Sequence, residues 1–86
     1  MLKGVVGHIK WHYYVAAQIE GYTVTRSKDR REWALSATVV LSDAFKMAQR
    51  PLTFVAKHAK GEWRWPITSM QVDAHRLTAK LGPPTT

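Results

Sequence analysis

The chain has 86 residues, no cysteine, and thirteen Lys and Arg against six Asp and Glu, a formal net charge of +7. That length holds one small domain and one core, with no second lobe to form an interdomain cleft, and the lack of cysteine excludes disulfides, thiolate zinc sites and cysteine nucleophiles. A hydrophobic content of 45% with 22% charged residues belongs to a folded chain rather than a basic disordered tail, and the charge favours an anionic partner.

Lys3 is followed by GVVGHIK, without the continuous apolar stretch of a signal peptide, and no segment reaches the length of a membrane span. A soluble cytoplasmic protein with no membrane partner is expected. Residues 5 to 20 alternate with period two: Val5, Gly7, Ile9, Trp11, Tyr13, Val15, Ala17 and Ile19 on one face, His8, Lys10, His12, Tyr14, Ala16, Gln18 and Glu20 on the other. Side chains of a strand project to opposite faces in this way, so one long strand with a buried apolar face is expected. Gly21 interrupts it, and the apolar phase then shifts to Tyr22 and Val24, which predicts a bulge or sharp bend.

RSKDRR, residues 26 to 31, reads as a polar loop, and EWALSATVVL alternates again with Trp33, Leu35, Ala37, Val39 and Leu41 on one side, so the two segments form a hairpin. A short helix is expected near residues 43–50: Ser42 is a good N-cap, Asp43 suits the positive helix end, Lys46 and Arg50 suit the other, and Pro51 stops it. LTFVAKHA and EWRWPI flank Lys60-Gly61, read as a tight turn. A small terminal hairpin, Met70 to Val72 and Leu77 to Leu81, spans DAHR. One domain over residues 1–82 and a non-regular tail over 83–86 complete the chain.

This order describes a mainly β protein: a small antiparallel barrel, or a strongly bent sheet, with one short helix, in the style of oligonucleotide-binding or SH3-like barrels. The analogy is of architecture alone.

Four tryptophans in a basic chain invite a base-stacking role, but Trp11 and Trp33 fall in phase with core positions, and Trp63 and Trp65 share a face with Ile67. Tyr14 is the aromatic expected outside, flanked on its own face by His12 and Ala16. His8 and His12 lie about 13 Å apart along a strand that rises about 3.3 Å per residue, too far to share an ion, so no metal site is expected. His8, Lys10 and His12 could serve as the acid, base and phosphate ligand of a small ribonuclease, the third functional reading.

Arg26, Lys28, Arg30 and Arg31 form the basic loop, either a solvated hairpin tip balanced by Asp29 and Glu32 or a set of phosphate contacts. A turn at Lys60-Gly61 pairs Ala59 with Glu62, His58 with Trp63, Lys57 with Arg64 and Ala56 with Trp65. It thereby sets two cations side by side on the outer face, their repulsion either screened by solvent or offset by a bound anion such as phosphate in an anion clamp, with His58 beside Trp63 at the tip.

The leading expectation is a non-enzymatic nucleic-acid-binding module that holds phosphate backbone, single strands above all, through Lys10, His12, Tyr14, Arg26, Lys28, Arg30, Arg31, Lys57 and Arg64. The alternative is a protein-interaction or inhibitory accessory module, such as a small phage-type factor, that binds an acidic protein surface or adds strands at a sheet edge, the same edge through which the chain could self-associate. No cofactor is expected.

Overall fold

The computed structural model describes residues 2–42, 46, 49–58 and 61–84. Six strands follow one another: β1 (Leu2–Trp11), β2 (Tyr14–Arg26), β3 (Trp33–Ser42), β4 (Thr53–His58), β5 (Gly61–Asp73) and β6 (Arg76–Leu81). Every pairing is antiparallel, and the spatial order β1-β2-β3-β6-β5-β4 closes on itself through β1 and β4. With β4 beside β1, the first four strands have the 4-1-2-3 order of a Greek key. The seam that closes the barrel pairs Gly7–Lys10 of β1 with Thr53–Ala56 of β4, so over that stretch β1 has a neighbour on both sides. The helix expected over residues 43–50 falls largely outside the described residues; Lys46, Gln49 and Arg50, which are described, lie in turns and a bend.

The single strand read over residues 5 to 20 is in fact a hairpin, with Trp11 opposite Tyr14 and His12-Tyr13 as the connection. His12 takes a φ of 54°, a left-handed conformation that histidine adopts more readily than most residues. A two-residue turn pairs odd with even positions, so Val15, opposite Lys10, points outward, and Tyr13 at the tip is 97% exposed. Beyond Lys10 the register shifts and Ile9 pairs with Ala17, which leaves Ala16 as an extra residue. That bulge restores the odd phase to Ala17 and Ile19. Two phase reversals cancel, and the letters alternate straight through the turn.

At Gly21 the expected bend is present: φ is 65°, and the pairing of β2 with β3 slips between Glu20 and Thr23. Tyr22 and Val24 beyond it are buried. β5 is longer than expected, running through Pro66 to Asp73 and absorbing the segment Met70 to Val72. Pro66 stands where β5 changes partner, from Thr53 on β4 to the β6 pairing that begins at Ile67 and Leu81. A residue with no N–H fits a point where the ladder is interrupted. There Ile67 N donates to Leu52 O at 2.9 Å, and Gly82 N donates to Pro66 O at 2.7 Å.

The interior is filled by a run of rings. Trp65, fully buried, stacks on Phe54 at 5.5 Å and on Trp63 at 5.8 Å between centroids, and Phe54 meets the Tyr22 ring edge-on at 5.2 Å. Two β1 glycines make room for them. A Cβ on Gly4 would fall on the Tyr22 hydroxyl, and one on Gly7 would come within 2.7 Å of the Phe54 ring. Leu35, Val39 and Leu77 close the core as alternation predicts, whereas Trp11 and Trp33 are only partly buried at its margins.

Candidate nucleic-acid interface

The basic loop joins Arg26 to Trp33, which are themselves register partners. Its neck is closed by Ser27 N donating to Glu32 O at 2.8 Å, and Arg30 N donates to Ser27 O at 2.9 Å. Within it, the Ser27 hydroxyl donates to Asp29 Oδ1 and accepts from Glu32 N at 3.1 Å, while Asp29 Oδ1 also accepts from Arg31 N at 3.1 Å. These bonds to the charged form, the Ser27 hydroxyl first and the Arg31 N–H second, hold the Asp29 carboxyl below its ordinary pKa. Arg30 takes a φ of 62°. Asp29 thus serves as the acceptor that shapes the loop, and Lys28, Arg30 and Arg31 are exposed around it. Among the described residues none of these three side chains forms an ion pair.

Beside the loop lies a groove of about 300 Å³ lined by Arg26, Arg31, Glu32, Trp33, Thr68 and Lys80 among others. The Arg26 guanidinium sits over the Trp33 ring, 4.8 Å from its centroid, and Nε of Arg26 donates to Arg30 O at 3.1 Å. Cation–π contact and hydrogen bond together fix the plane of that side chain. Thr68, the extra residue of the β5–β6 register shift, donates its hydroxyl to Lys80 O at 3.1 Å. Trp33, a core position by its alternation, is partly buried beside the groove, and Lys80, which carries no motif in the sequence, lines it. The alternation of RLTAKL does mark Lys80 as outward, but its place beside the loop depends on the β3–β6 pairing of Ala34 with Lys80.

Lys57 and Arg64 are not the cross-strand pair expected. Lys57 lies opposite Glu62, Arg64 opposite Val55 and Trp63 opposite Ala56, while His58 pairs with Gly61. Gly61 is therefore a residue of the β5 ladder and not of a Lys60-Gly61 turn; residues 59 and 60 and the His58 side chain lie outside the described residues. A shift of two positions keeps Lys57 and Arg64 on one face, but it sets Glu62 between them. Arg64 Nη2 donates to Glu62 Oε2 at 3.1 Å. That bond first, then the charges of Arg64, Lys57 and Lys10, lower the Glu62 pKa. The anion of the expected clamp is a carboxylate of the chain itself.

His12 and Tyr14 flank the β1–β2 tip, at the opposite end of the 13-residue β2 from the basic loop. The His12 and Trp11 rings are 5.3 Å apart, and the Arg50 guanidinium lies 4.3 Å from the Trp11 ring centroid. His8 stands in the barrel wall between Gln18 and Val55, so it and His12 belong to different elements. Among the described residues no three His, Asp or Glu side chains cluster as a metal site would require, and no helix is long and apolar enough to cross a membrane. The nine expected site residues therefore divide into three places: Arg26, Lys28, Arg30 and Arg31 at the loop, Lys10, Lys57 and Arg64 around Glu62, and His12 with Tyr14 at the tip.

Fold and site together define a small closed antiparallel barrel of Greek-key order with a structured basic loop at one mouth. Comparison with protein-family models, with curated proteins and with solved structures finds no match to this chain.

Proposed function

We propose that this barrel binds nucleic acid, single strands in preference to duplexes, by holding the phosphodiester backbone on the loop from Arg26 to Arg31. The observation that carries the reading is the internal bonding of that loop, in which Asp29 is used as a structural acceptor while Lys28, Arg30 and Arg31 stay exposed and, among the described residues, form no ion pair. A cluster held in place before binding loses little freedom on capturing a ligand. Phosphate contacts of this type position a strand without reading its sequence, and a cytoplasmic site of action goes with the cysteine-free composition.

The test is a titration of labelled single- and double-stranded DNA and RNA at two salt concentrations. Each lost phosphate contact on a single strand removes about 0.7 from the log–log salt slope, so the double variant Lys28→Gln/Arg31→Gln should bind more weakly with a slope lower by about 1.4. Binding that ignores salt, or is untouched by the double variant, refutes the loop as the contact.

A second reading has one observation in its favour. Tyr13 is 97% exposed, with Tyr14 and Val15 each 45% exposed beside it, an aromatic projection of the kind that anchors protein interfaces. A stoichiometric complex with one acidic protein, indifferent to oligonucleotide and lost on Tyr13→Ala, would favour an interaction module instead.

A further inference from the structure

We infer that the groove beside the basic loop is a pocket for one nucleotide of a single strand, its base stacked on the Arg26 guanidinium and its phosphate between Arg31 and Lys80. The inference rests on the nucleic-acid reading above and adds to it a base contact.

Arg26 is built as a plate. The Trp33 ring backs it at 4.8 Å, the hydrogen bond from Nε to Arg30 O at 3.1 Å stops it from swinging, and its exposed side lines the groove. Unpaired bases stack on arginine planes as they do on aromatic rings, and here the plane is oriented before any ligand arrives. The space, about 300 Å³, stands at the lower end of the range for small-molecule pockets, about 300–1,000 Å³, which suits one nucleotide and not a duplex.

The lining carries both signs of charge. Arg31 and Lys80 supply cations and Thr25 and Thr68 supply hydroxyls, while Glu32 is the one carboxylate among the described lining residues. Glu32 offers an acceptor to an exocyclic amine, which a phosphate does not carry, so the lining holds a partner for a base edge as well as partners for a phosphate. A purely electrostatic loop would need none of this. Its cations could be lysines, and an aromatic ring under one of them would have no bearing on affinity.

That difference sets the experiment. Arg26→Lys keeps the charge and removes the plane, a substitution that is not conservative at a stacked site. Parent and variant are titrated with a short labelled single strand and with a duplex at two salt concentrations, and their thermal unfolding is recorded in parallel. The parent is also titrated with adenosine 5′-monophosphate, adenosine and inorganic phosphate. Loss of one stacked base should lower single-strand affinity about tenfold. The salt slope should not change, because the number of charges does not, and duplex affinity should stay at the parent value. The mononucleotide should bind more tightly than either of its two halves.

Should Arg26→Lys unfold the loop, Lys80→Gln, which lies outside the Arg26–Trp33 stack, replaces it. It should weaken the mononucleotide and single strand together and lower the slope by about 0.7. Single-strand binding by Arg26→Lys equal to the parent, equal losses for single strand and duplex, or a mononucleotide no better than phosphate would each overturn the pocket and leave the loop reading standing. A parent protein that binds no oligonucleotide in either salt would remove both.

Discussion

Gly7→Ala adds one methyl group to the inner wall of β1, and the structure sets its cost. The new Cβ would lie 2.7 Å from Phe54 Cε1, 3.1 Å from Cζ and 3.3 Å from the Val55 carbonyl oxygen. The carbonyl belongs to the β4 ladder and cannot retreat. The Phe54 ring has nowhere to go, being fully buried with the Tyr22 edge at 5.2 Å and Trp65 at 5.5 Å. Overpacking of this kind costs about 1–3 kcal/mol, while the stiffer unfolded chain returns about 0.4–1 kcal/mol. A net loss of about 1–2 kcal/mol is expected, and with it a fall in Tm of roughly 5–15 °C for a domain of this size. Urea unfolding followed by tryptophan fluorescence should show a lower midpoint at an unchanged m-value. In a Phe54→Leu background the added methyl has room, so the two substitutions should be less damaging together than their separate costs imply, by about 1 kcal/mol. A Gly7→Ala protein as stable as the parent, or additive costs in the double variant, would refute the ring-over-glycine packing.

Two further outcomes follow from the exposed charges. The Asp29 pKa is depressed on folding, so its contribution to stability is present above the ordinary carboxylate range and disappears as pH falls through the folded value; Ser27→Ala removes the largest cause, so the Asp29 titration read by carbon NMR should move upward and the variant should lose its deficit against the parent only in acid. Lys57→Gln takes a cation away from Glu62 rather than away from Arg64, so it should lower stability slightly and leave oligonucleotide affinity unchanged; a gain in stability measured by chemical denaturation would mean that like-charge repulsion dominates at that site after all.

Much of the barrel is legible in the letters wherever one face is buried and one is wet. The β3 alternation, the bend at Gly21 and the place of the basic loop, one residue off at each end, all follow from that pattern. The β1–β2 turn is hidden because Ala16 supplies the extra residue that cancels the turn's phase reversal, and because His12-Tyr13 carries none of the residues that announce a hairpin. EWRWPI and the segment Met70 to Val72 read as two strands, whereas they are one strand that passes from β4 to β6 at Pro66. The β4–β5 register is off by two residues, a slip that conserves the faces and so leaves no trace in the hydrophobic pattern. For the candidate site, the four loop cations are adjacent in sequence and were found together. Trp33 and Lys80 were not joined to them because neither partial burial nor the β3–β6 pairing can be read from local alternation.

The Greek-key order also governs how the chain reaches this state. Four of the six seams join strands consecutive in sequence, but β1 with β4 and β3 with β6 join residues as distant as Gly7 from Ala56 and Trp33 from Leu81. Hairpins form in about 1–10 μs, whereas seams between distant segments must first overcome the entropy of closing long loops, and domains dominated by such pairings fold in roughly milliseconds to seconds. Until those two seams close, β1, β3, β4 and β6 each carry an unpaired side. During synthesis β1 in particular waits for the segment beyond residue 52 before its second neighbour exists, and throughout that interval Gly7–Lys10 present an exposed edge that the finished seam covers.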